Sequence, residues 1–416
     1  MHPSQVRAEQ TLTACFSAAI AAVAADAVLP RHLPTAPGGR LVVIAAGKAA
    51  APMMAAAQAR SAAPLAGLVV APRGHIPPDF DLPAVEIITA GHPVPDANSQ
   101  RAAERAMQLA TALGASDHLL MLMSGGASAL LAAPVANVTL ADKAAVTLAL
   151  LRSGAPIAEI NTVRMALSSI KGGRLAALAA PADVTTWVVS DVPGDDLALV
   201  GSGPTIAVAP SGESAAAIIA RRAITVPTSV ATALAHQHPV AATSGQVRCI
   251  ASARDALRAA AQCAAALGFA ITNLGDDLQG EARYLGRAHA ALALGLAAQG
   301  GRHAIISGGE TSVTMVGRTG RGGRNLEYCL GLAIALDGAA GVTALAADSD
   351  GIDGTSHAAG AWIGPDTLVT ARALGLDPIA FLAANDAHGL FAAVGNLVVT
   401  GPTLTNVNDI RVILVG

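Results

Sequence analysis

Two short turns carry residues that could bind a phosphate or a carboxylate. Lys48 follows the apolar run 41–46 and precedes an alanine-rich segment, so its charge lies between a strand end and a helix start. Lysine is rare in this chain, since Lys143 and Lys171 are the only others. Ser124-Gly125-Gly126-Ala127-Ser128 offers small residues whose backbone N–H groups can converge on an anion ahead of a helix. A solvated surface lysine and an ordinary helix N-cap remain the alternatives.

Neither of the common nucleotide-binding loops is present in the sequence. A P-loop would place glycine at position 42 and serine or threonine at position 49, where the chain has Val42 and Ala49. No apolar run opens into G-x-G-x-x-G, which argues against a nicotinamide-binding Rossmann fingerprint. Any phosphate bound at these turns must therefore be held in another way.

Two acidic turns follow apolar runs. Residues 190–196 include three aspartates, of which two could hold Mg²⁺, or one could accept a proton from a substrate hydroxyl. An Asx turn with solvated carboxylates is the alternative. The loop 348–354 resembles a calcium loop, but Ile352 and Ala359 occupy positions five and twelve of that motif. A polar turn and a contact to a divalent ion both stay open for this loop.

The densest positive charge lies in a glycine-rich loop that contains Arg318, Arg321 and Arg324. Guanidinium groups bind phosphate and carboxylate bidentately, so the loop suits a clamp for either anion, with a solvated loop as the alternative. An RNA-binding segment is disfavoured because no aromatic residues are interleaved. These cations, the small-residue turns and the acidic turns together match what phosphoryl transfer needs, although their spacing names no acceptor.

Repeated strand, polar turn and helix patterns must position these residues. Five apolar runs end in turns rich in Gly, Ser or Asp, namely 41–46, 118–123, 186–189, 303–306 and 342–346. This rhythm is typical of open parallel α/β sheets, in which ligands bind beyond the carboxyl ends of the strands. A stretch near 227–245 is rich in Pro, Thr, Ser and His and interrupts the pattern. We therefore expect two α/β domains with an active site in the cleft between them.

Composition excludes several classes of protein. The chain has 416 residues, enough for two or three domains, and a hydrophobic fraction of 53% that argues against disorder. Its net charge of −3 indicates no nucleic-acid surface, and its four cysteines lack the clustering of a disulfide framework or zinc site. The apolar stretch 12–29 contains Asp26, and the residues before it, 2–10, carry only Arg7 as a basic side chain, unlike the start of a signal peptide. We expect a packed helix there, without a signal peptide or membrane span, and a cytoplasmic protein.

Short motifs occur in a specific order along the chain: Ala46-Gly-Lys48-Ala-Ala50, Gly91-His-Pro-Val-Pro-Asp96, Met123-Ser-Gly-Gly-Ala-Ser-Ala-Leu130, Asn161-Thr-Val-Arg164, Lys171-Gly-Gly-Arg174, Ser190-Asp191-Val-Pro-Gly-Asp195, Gly201-Ser-Gly-Pro-Thr205, Ser307-Gly-Gly-Glu-Thr311, Gly320-Arg-Gly-Gly-Arg-Asn325, Asp348-Ser-Asp-Gly-Ile-Asp-Gly354 and Thr400-Gly-Pro-Thr-Leu-Thr-Asn-Val-Asn408-Asp409. No one of them is decisive. In this order, and over nearly the whole length, the chain resembles the class II glycerate kinases, or glycerate 2-kinases, whose C-terminal half is called the MOFRL domain.

The resemblance implies an α/β protein of two domains. A Rossmann-like three-layer N-terminal domain would span 1–236, and a smaller α/β MOFRL domain would span 237–416, with a cleft between them. The implied reaction transfers a phosphoryl group from ATP, with Mg²⁺, to the 2-hydroxyl of D-glycerate. The alternatives are a kinase of another small hydroxy acid and an NAD(P)H-dependent hydroxypyruvate reductase, a label often given to this family that the missing dinucleotide fingerprint disfavours. No nucleic-acid or membrane partner is expected, and the assembly could be a homodimer.

The resemblance also carries over catalytic residues. These are Lys48, Asp191 and Arg324, of which Asp191 would accept or orient the proton of the substrate hydroxyl. We further expect substrate binding at Ser124, Gly125, Gly126 and Ser128, nucleotide binding at Ser307, Gly308, Gly309, Glu310, Thr311 and Asn325, and metal binding at Asp191 and Asp195.

Overall fold

Strands and helices alternate along the chain in a computed structural model that describes residues 3–207, 213–235, 245–315 and 320–416. The strands are β1 Leu41–Ala46, β2 Ala66–Pro72, β3 Val85–Ala90, β4 His118–Met123, β5 Asp183–Val189, β6 Gln246–Ala251, β7 Ala270–Asn273, β8 His303–Ser307, β9 Val342–Asp348, β10 Gly360–Ile363, β11 Leu397–Val398 and β12 Asp409–Val415. The helices are α1 Pro3–Ala22, α2 Ala25–Val28, α3 Ala50–Gln58, α4 Ala97–Thr111, α5 Ala127–Leu130, α6 Leu140–Arg152, α7 Ile157–Ala166, α8 Arg174–Ala179, α9 Ala215–Arg221, α10 Thr228–Ala235, α11 Ala253–Ala266, α12 Ala282–Gln299, α13 Arg324–Leu336, α14 Thr367–Ala373, α15 Pro378–Ala383 and α16 Ala387–Val394.

These elements form two compact units, each with a six-stranded sheet, which confirms the expected α/β class with two domains. The parallel-sheet unit comprises Leu29–Val192 and Asp196–Ile250, and the mixed-sheet unit comprises Met1–Val28, Pro193–Asp195 and Ala251–Gly416. The boundary expected between 236 and 237 lies outside the described residues. The predicted ranges did not anticipate that the first 28 residues group with the C-terminal half of the chain.

The sheet of the parallel-sheet unit has the strand order β3-β2-β1-β4-β5-β6, and β1 to β5 all run parallel. This is the Rossmann-like order expected from the resemblance. The bounds of β1 and β4 coincide with the predicted runs 41–46 and 118–123. Both strands are buried at every position after the first, because helices cover both faces of parallel sheets and favour continuous apolar runs.

Alanine lets the helices of this unit pack closely on the sheet. Helix α4 begins with a capping box, in which Ser99 N donates to Asp96 Oδ1 and Asp96 N donates to Ser99 Oγ, both at 3.0 Å. Its alanines at 102, 103, 106 and 110 lie at helical spacing and are buried in one core with Ile88 and Met121. The aromatic-poor composition is therefore compatible with a continuous core, since small side chains allow close backbone approach.

The second sheet has the order β11-β10-β9-β12-β8-β7 and mixes strand directions. Only β7 and β8 pair in parallel, while β12 runs antiparallel between β8 and β9. The repeated strand, turn and helix pattern predicted a parallel sheet here. The observed sheet is mixed, in part because the C-terminal strand β12 lies antiparallel between β8 and β9. Helix α13 is almost entirely buried against this sheet, so its N-terminal residues are held rigidly.

The N-terminal helix α1 belongs to the mixed-sheet unit because it packs against α11 and β12. Its buried face consists of Leu12, Cys15, Phe16 and Ala19. This is the packed helix that the apolar stretch 12–29 predicted. Among the helices in the described ranges, none combines the length and the hydropathy needed to cross a membrane.

Candidate active site

Three of the predicted site turns leave the parallel sheet at the same edge. Ala46 of β1 is in register with Met123 of β4, and Met123 is in register with Val188 of β5. Lys48 lies two residues beyond Ala46, and Asp191 lies three residues beyond Val188. The serine-glycine turn begins directly after Met123, between them. The neighbouring order of β1, β4 and β5 therefore gathers turns that are far apart in the sequence.

The strand order also identifies a crevice at this edge. From β1 the chain continues to β2 and β3 on one side, whereas β4 and β5 lie on the other side. Such a reversal separates the turns that follow the two central strands and creates the usual ligand site of open α/β sheets. In this chain those two turns carry Lys48 and Ser124-Gly125-Gly126, the residues predicted to meet a substrate anion.

Hydrogen bonds join these two turns into one structure. Lys48 N donates to Gly125 O, and Ala49 N donates to Ser124 Oγ, both at 2.9 Å. Gly47 has φ +128°, and a Cβ atom there would lie 2.1 Å from Ser124 Oγ, so only glycine fits. The Ser124 side chain is fully buried and accepts a backbone hydrogen bond, which indicates a role in building the turn. The backbone N–H of Ser124 is also used within the fold, since it donates to Ala46 O at 3.0 Å, and the contact of Ser124 with substrate stays a prediction.

His92 lies beside the same turn, and sequence reasoning gave it no role. A Cβ atom on Gly126, which has φ +88°, would lie 3.1 Å from His92 Cδ2 and 3.7 Å from Lys48 Cγ. The imidazole and the lysine therefore flank the Gly126 backbone. His92 is exposed, and its motif, Gly91 to Asp96, was the only signal that could have identified it.

Ser128 contacts two cations to which sequence reasoning gave no role. Lys171 Nζ donates to Ser128 O at 2.8 Å and to Ser128 Oγ at 2.7 Å, and Arg164 Nη2 donates to the same hydroxyl. Ser202 Oγ lies 3.1 Å from it. The Asn161–Arg164 and Lys171–Arg174 motifs supply these cations, but the sequence alone did not show that they meet Ser128.

The loop after β5 carries the predicted base and metal ligands. Asp191 is partly buried at the end of the parallel-sheet unit, whereas Asp195 has φ +55° and groups with the mixed-sheet unit. In the described ranges, no group of three or more His, Cys, Asp or Glu side chains is arranged to hold a metal ion. Mg²⁺ at these aspartates would therefore take most of its ligands from phosphate groups and water, as Mg²⁺ ordinarily does.

In the mixed-sheet unit, Arg324 forms ion pairs with three carboxylates from distant parts of the chain. Its Nε lies 2.7 Å from Asp409 Oδ1, its Nη2 2.9 Å from Asp348 Oδ2 and its Nη1 3.1 Å from Glu310 Oε1. Burial disfavours the charge of Arg324, but the three carboxylates together raise its pKa above the usual value. The guanidinium is thus permanently charged and held in one orientation.

Asp353 occupies the N-terminus of α13. Its carboxylate accepts hydrogen bonds from Asn325 N at 3.1 Å and Leu326 N at 2.8 Å. Asn325 is fully buried and also donates its side-chain amide to Asp409 Oδ1 at 2.7 Å. The predicted nucleotide contact of Asn325 therefore has no support in this geometry, in which the side chain orients carboxylates that in turn hold Arg324.

Burial raises the pKa of Asp353 to about 7, although the two backbone N–H groups act in the opposite direction. The folded state therefore keeps a proton that the unfolded state releases above its ordinary pKa of 3.8. The contribution of this carboxyl group to stability is full below pH 4 and is lost as the pH rises to 7, with a slope of at most about 1.4 kcal/mol per pH unit. We expect Asp353→Asn to remove this slope from the free energy of unfolding in urea between pH 4 and 7. Asp377→Asn, at an exposed helix cap, should leave the slope unchanged, and parallel profiles for wild type and Asp353→Asn would contradict the prediction.

The Ser307–Thr311 turn is more tightly packed than a phosphate-binding loop requires. Gly308 N donates to Gly275 O at 2.9 Å, and Glu310 N donates to Leu278 O at 3.0 Å. A Cβ atom on Gly309 would lie 2.1 Å from Leu278 O. Two of the amides predicted to hold nucleotide phosphates are therefore already bonded to backbone carbonyl groups, and the Ser307 side chain is buried.

A cavity of about 290 Å³ lies beside this turn within the mixed-sheet unit. Its lining includes Thr311, Arg324, Glu327, Thr355 and Asn385. Thr311 and Arg324, which were predicted on separate motifs, thus reach one concave surface. The cavity is close to the lower end of the size range of small-molecule sites and has a cation in its wall.

The remaining predicted motifs have simpler roles. Asp348 Oδ1 accepts from Asp350 N at 3.1 Å and Asp350 Oδ1 accepts from Ile352 N at 2.7 Å, so this loop is built by Asx turns. In the arginine-rich loop, Arg318 lies outside the described residues, and exposed Arg321 contacts His357 Nδ1 at 3.0 Å. Of the three arginines, Arg324 is the one with a buried charged environment in the described structure.

Two family descriptions match the chain. The domain of unknown function DUF4147 matches residues 11–235, and the MOFRL family matches residues 303–409. The first covers more than half of the sequence and includes the turns at Lys48, Ser124 and Asp191. The second includes Arg324, Asp353 and Asp409, the first residue of β12.

Curated relatives and a solved structure are similar over almost the whole chain. A D-glycerate 2-kinase from Thermotoga maritima is 37% identical over 95% of each chain. A protein from Agrobacterium vitis, provisionally named a hydroxypyruvate reductase, is 47% identical over 99% of this chain and 96% of its own. The crystal structure of a glycerate kinase from Thermotoga maritima has a TM-score of 0.89 at 36% identity, covering 99% of this chain and 100% of that chain.

Proposed function

The chain belongs to the family defined by the DUF4147 and MOFRL domains, which includes glycerate 2-kinases, and on that premise we propose that it transfers the γ-phosphoryl group of ATP to D-glycerate. The products are 2-phosphoglycerate and ADP. The observation that carries the proposal is the 37% identity to a D-glycerate 2-kinase over 95% of both chains, together with the crevice between β1 and β4. The phosphorylation of the 2-hydroxyl comes from the relatives and not from the geometry.

The reductase name of the Agrobacterium relative implies hydride transfer from a dinucleotide. The turn after β1, where such a cofactor's pyrophosphate is usually held, reads Ala46-Gly-Lys48-Ala-Ala50 and lacks the G-x-G-x-x-G fingerprint. A lysine at that turn suits a phosphoryl group that carries several negative charges. We therefore assign the kinase reaction and treat the reductase name as a mislabel.

In the proposed mechanism, D-glycerate lies against the Ser124–Ser128 turn in the crevice. Asp191, on the adjacent turn, accepts or orients the proton of the 2-hydroxyl, which makes the oxygen a better nucleophile. Lys48 neutralises the charge that develops on the phosphoryl oxygens during transfer. The backbone carbonyl of Gly125 fixes the Lys48 turn, so the cation is positioned before the substrate binds.

The mixed-sheet unit is proposed to bind ATP. Arg324 lines the 290 Å³ cavity, and its three carboxylate partners hold its guanidinium where it can contact phosphate oxygens. Thr311 is the predicted nucleotide residue that this cavity supports best. Ser307, Gly308, Gly309, Glu310 and Asn325 then support the wall of the site and do not contact the phosphates.

Mg²⁺ is proposed to accompany ATP. The carboxylates of Asp191 and Asp195 have the hard oxygen donors that Mg²⁺ prefers, and two such ligands are enough when phosphate groups and water supply the rest. When bound, the ion would neutralise phosphate oxygens. The chain's own contribution would be to hold these two carboxylates on one loop.

Phosphorus NMR of the purified protein with D-glycerate, ATP and Mg²⁺ tests the reaction directly. We expect a 2-phosphoglycerate resonance that requires ATP. A 3-phosphoglycerate resonance would keep the kinase and overturn the position of transfer. Consumption of NADH with hydroxypyruvate, in a parallel sample that forms no phosphorylated product, would overturn the kinase assignment.

A further inference from the structure

Four cationic side chains gather in the parallel-sheet unit. They are Lys143 on α6, Arg164 on α7, Lys171 on the turn before α8, and Arg174 at the start of α8. Lys143 and Lys171 are two of only three lysines in the chain. We call these four residues the cation cluster. The catalytic proposal above uses none of them.

Three of the four cations donate hydrogen bonds to backbone and hydroxyl oxygens. Lys171 is 1% exposed, and its Nζ donates to Ser128 O, Ser128 Oγ and Gly201 O at 2.8, 2.7 and 3.3 Å. Arg164 Nη2 also donates to Ser128 Oγ. Arg174 Nη1 donates to the carbonyl oxygens of Met165 and Lys171 at 3.1 and 2.9 Å. All of these acceptors are neutral groups.

Lys143 has no such acceptor. It is 6% exposed, and within the described ranges its Nζ is buried without a hydrogen-bond partner. Burial, together with the charges of Arg164 and Arg174, lowers the pKa of Lys143 to about 7. A buried ammonium group without a partner is costly, since its lost hydration is not replaced. We therefore infer that the ammonium group of Lys143 is satisfied by a bound ligand.

The positive charge of the cluster is not balanced by carboxylates of the described residues. Among the described residues, no Asp or Glu forms an ion pair with any of the four cations. Burial, Lys143 and Arg164 together lower the pKa of Lys171 well below its usual value, which shows that the cations repel one another. Repulsion of this kind destabilises the folded protein unless an anion binds among the cations.

We propose that the cation cluster is an oxyanion site, which takes a carboxylate or a phosphate group with Lys143, Arg164 and Ser128 as its direct contacts. Arg164 and Arg174 are only partly buried, so a ligand can reach the cluster from solvent. Ser128 lies two residues beyond Gly126, at the turn that Lys48 and His92 flank. The site therefore adjoins, along the chain, the turn that forms the proposed substrate crevice. The choice of the D-glycerate carboxylate as the first ligand to test rests on the proposed function, whereas the oxyanion site itself does not.

The test measures binding without turnover. Equilibrium dialysis at pH 6, where Lys143 carries its proton, would follow radiolabelled D-glycerate, inorganic phosphate and ADP separately. We expect Lys143→Met and Arg164→Met each to weaken the binding of D-glycerate by at least about tenfold, the size of a lost charge-assisted hydrogen bond. Arg152→Met, an exposed cation at the end of the same α6, is the matched control and should bind normally.

Thermal unfolding separates a binding role from a structural one. Lys143→Met removes a buried, repelled charge, so we expect an equal or higher Tm without ligand and the loss of the Tm increase that ligand produces in the wild type. A lower Tm for Lys143→Met without ligand would show that the lysine supports the fold and would overturn the proposal. Unchanged affinity for all three ligands in folded variants would also overturn it. Weakened binding of phosphate and ADP alone would support the site and identify the phosphate group as its ligand.

These outcomes are independent of the kinase assignment. If the NMR experiment detects no phosphorylated product while Lys143→Met still loses D-glycerate or phosphate binding, the oxyanion site stands and the proposed function falls. If product forms and neither methionine variant loses affinity for any of the three ligands, the function stands and the site falls.

Discussion

Replacing Lys48 with methionine is expected to lower kcat by about two to four orders of magnitude, the scale of a lost electrostatic contact in the transition state. The side chain is only partly buried and its position in the turn is set by the backbone bond from Lys48 N to Gly125 O, which methionine keeps. We therefore expect the variant to remain folded with an unchanged Tm. Steady-state kinetics with saturating D-glycerate and ATP measure the effect.

Two further variants make the Lys48 result interpretable. Lys48→Arg keeps a cation at the turn and should retain more activity than Lys48→Met, because charge and not packing is what the phosphoryl group needs. Arg152→Met is the control for removal of a distant surface cation and should leave kcat unchanged. Near-normal kcat in Lys48→Met would remove this lysine from the mechanism.

Replacing Arg324 with alanine should affect both activity and stability. The change removes the cation that Asp348 and Asp409 share, and these carboxylates are 5% and 0% exposed, while Arg411 stays paired with Asp409. Breaking a buried ion pair on one side commonly costs about 3–5 kcal/mol, and the partial exposure of Arg324 places the expected loss near about 3 kcal/mol. Loss of its proposed phosphate contact should lower kcat by about two to four orders of magnitude. Urea unfolding and kinetics below the transition measure the two effects separately.

Two further variants, Arg324→Lys and Arg372→Ala, separate the loss of stability from the loss of activity. Lysine restores a charge near the carboxylates but cannot bind Asp348 and Asp409 through separate nitrogens, so stability should recover more than kcat. Arg372 forms a 2.8 Å ion pair with Asp337 on the surface of the same unit, and its removal should cost less than about 1 kcal/mol. If Arg324→Ala folded normally and kept its kcat, the proposed roles of this arginine in stability and catalysis would both be wrong.

Much of the fold could be predicted from local patterns. Strands β1 and β4 have the predicted bounds because continuous apolar runs of six residues, ended by glycine-rich turns, are typical of buried parallel strands. Strand β5 begins at Asp183, three residues before the predicted run, since Thr185 is polar by type yet buried in this strand. Other strands have weaker sequence patterns. The apolar run of β2 is shortened by Gly67 near its start and Pro72 at its end, and β10 has only four residues.

The candidate site was predictable only in part. The motifs around Lys48, Asp191 and Arg324 were recognised because their residue types suit phosphoryl transfer and their order resembles a known family. His92, Lys171 and Asp409 were given no role, and Glu310 and Asp348 were not predicted to hold Arg324. Sequence spacing shows which side chains are neighbours along one strand or helix. These side chains lie on different elements, so spacing could not show that they meet.

By itself, the sequence determined the family, the two α/β units and the turns that carry the candidate catalytic residues, because all of these follow from local apolar runs and short motifs. Tertiary structure alone decided which turns adjoin each other at the sheet edge, that Glu310, Asp348 and Asp409 converge on Arg324, and that Arg164 and Lys171 meet at Ser128. The physical reason is that these arrangements depend on strand order and helix packing. Both join residues that are tens of positions apart in the chain, and their electrostatic energies depend on burial that no local pattern reveals.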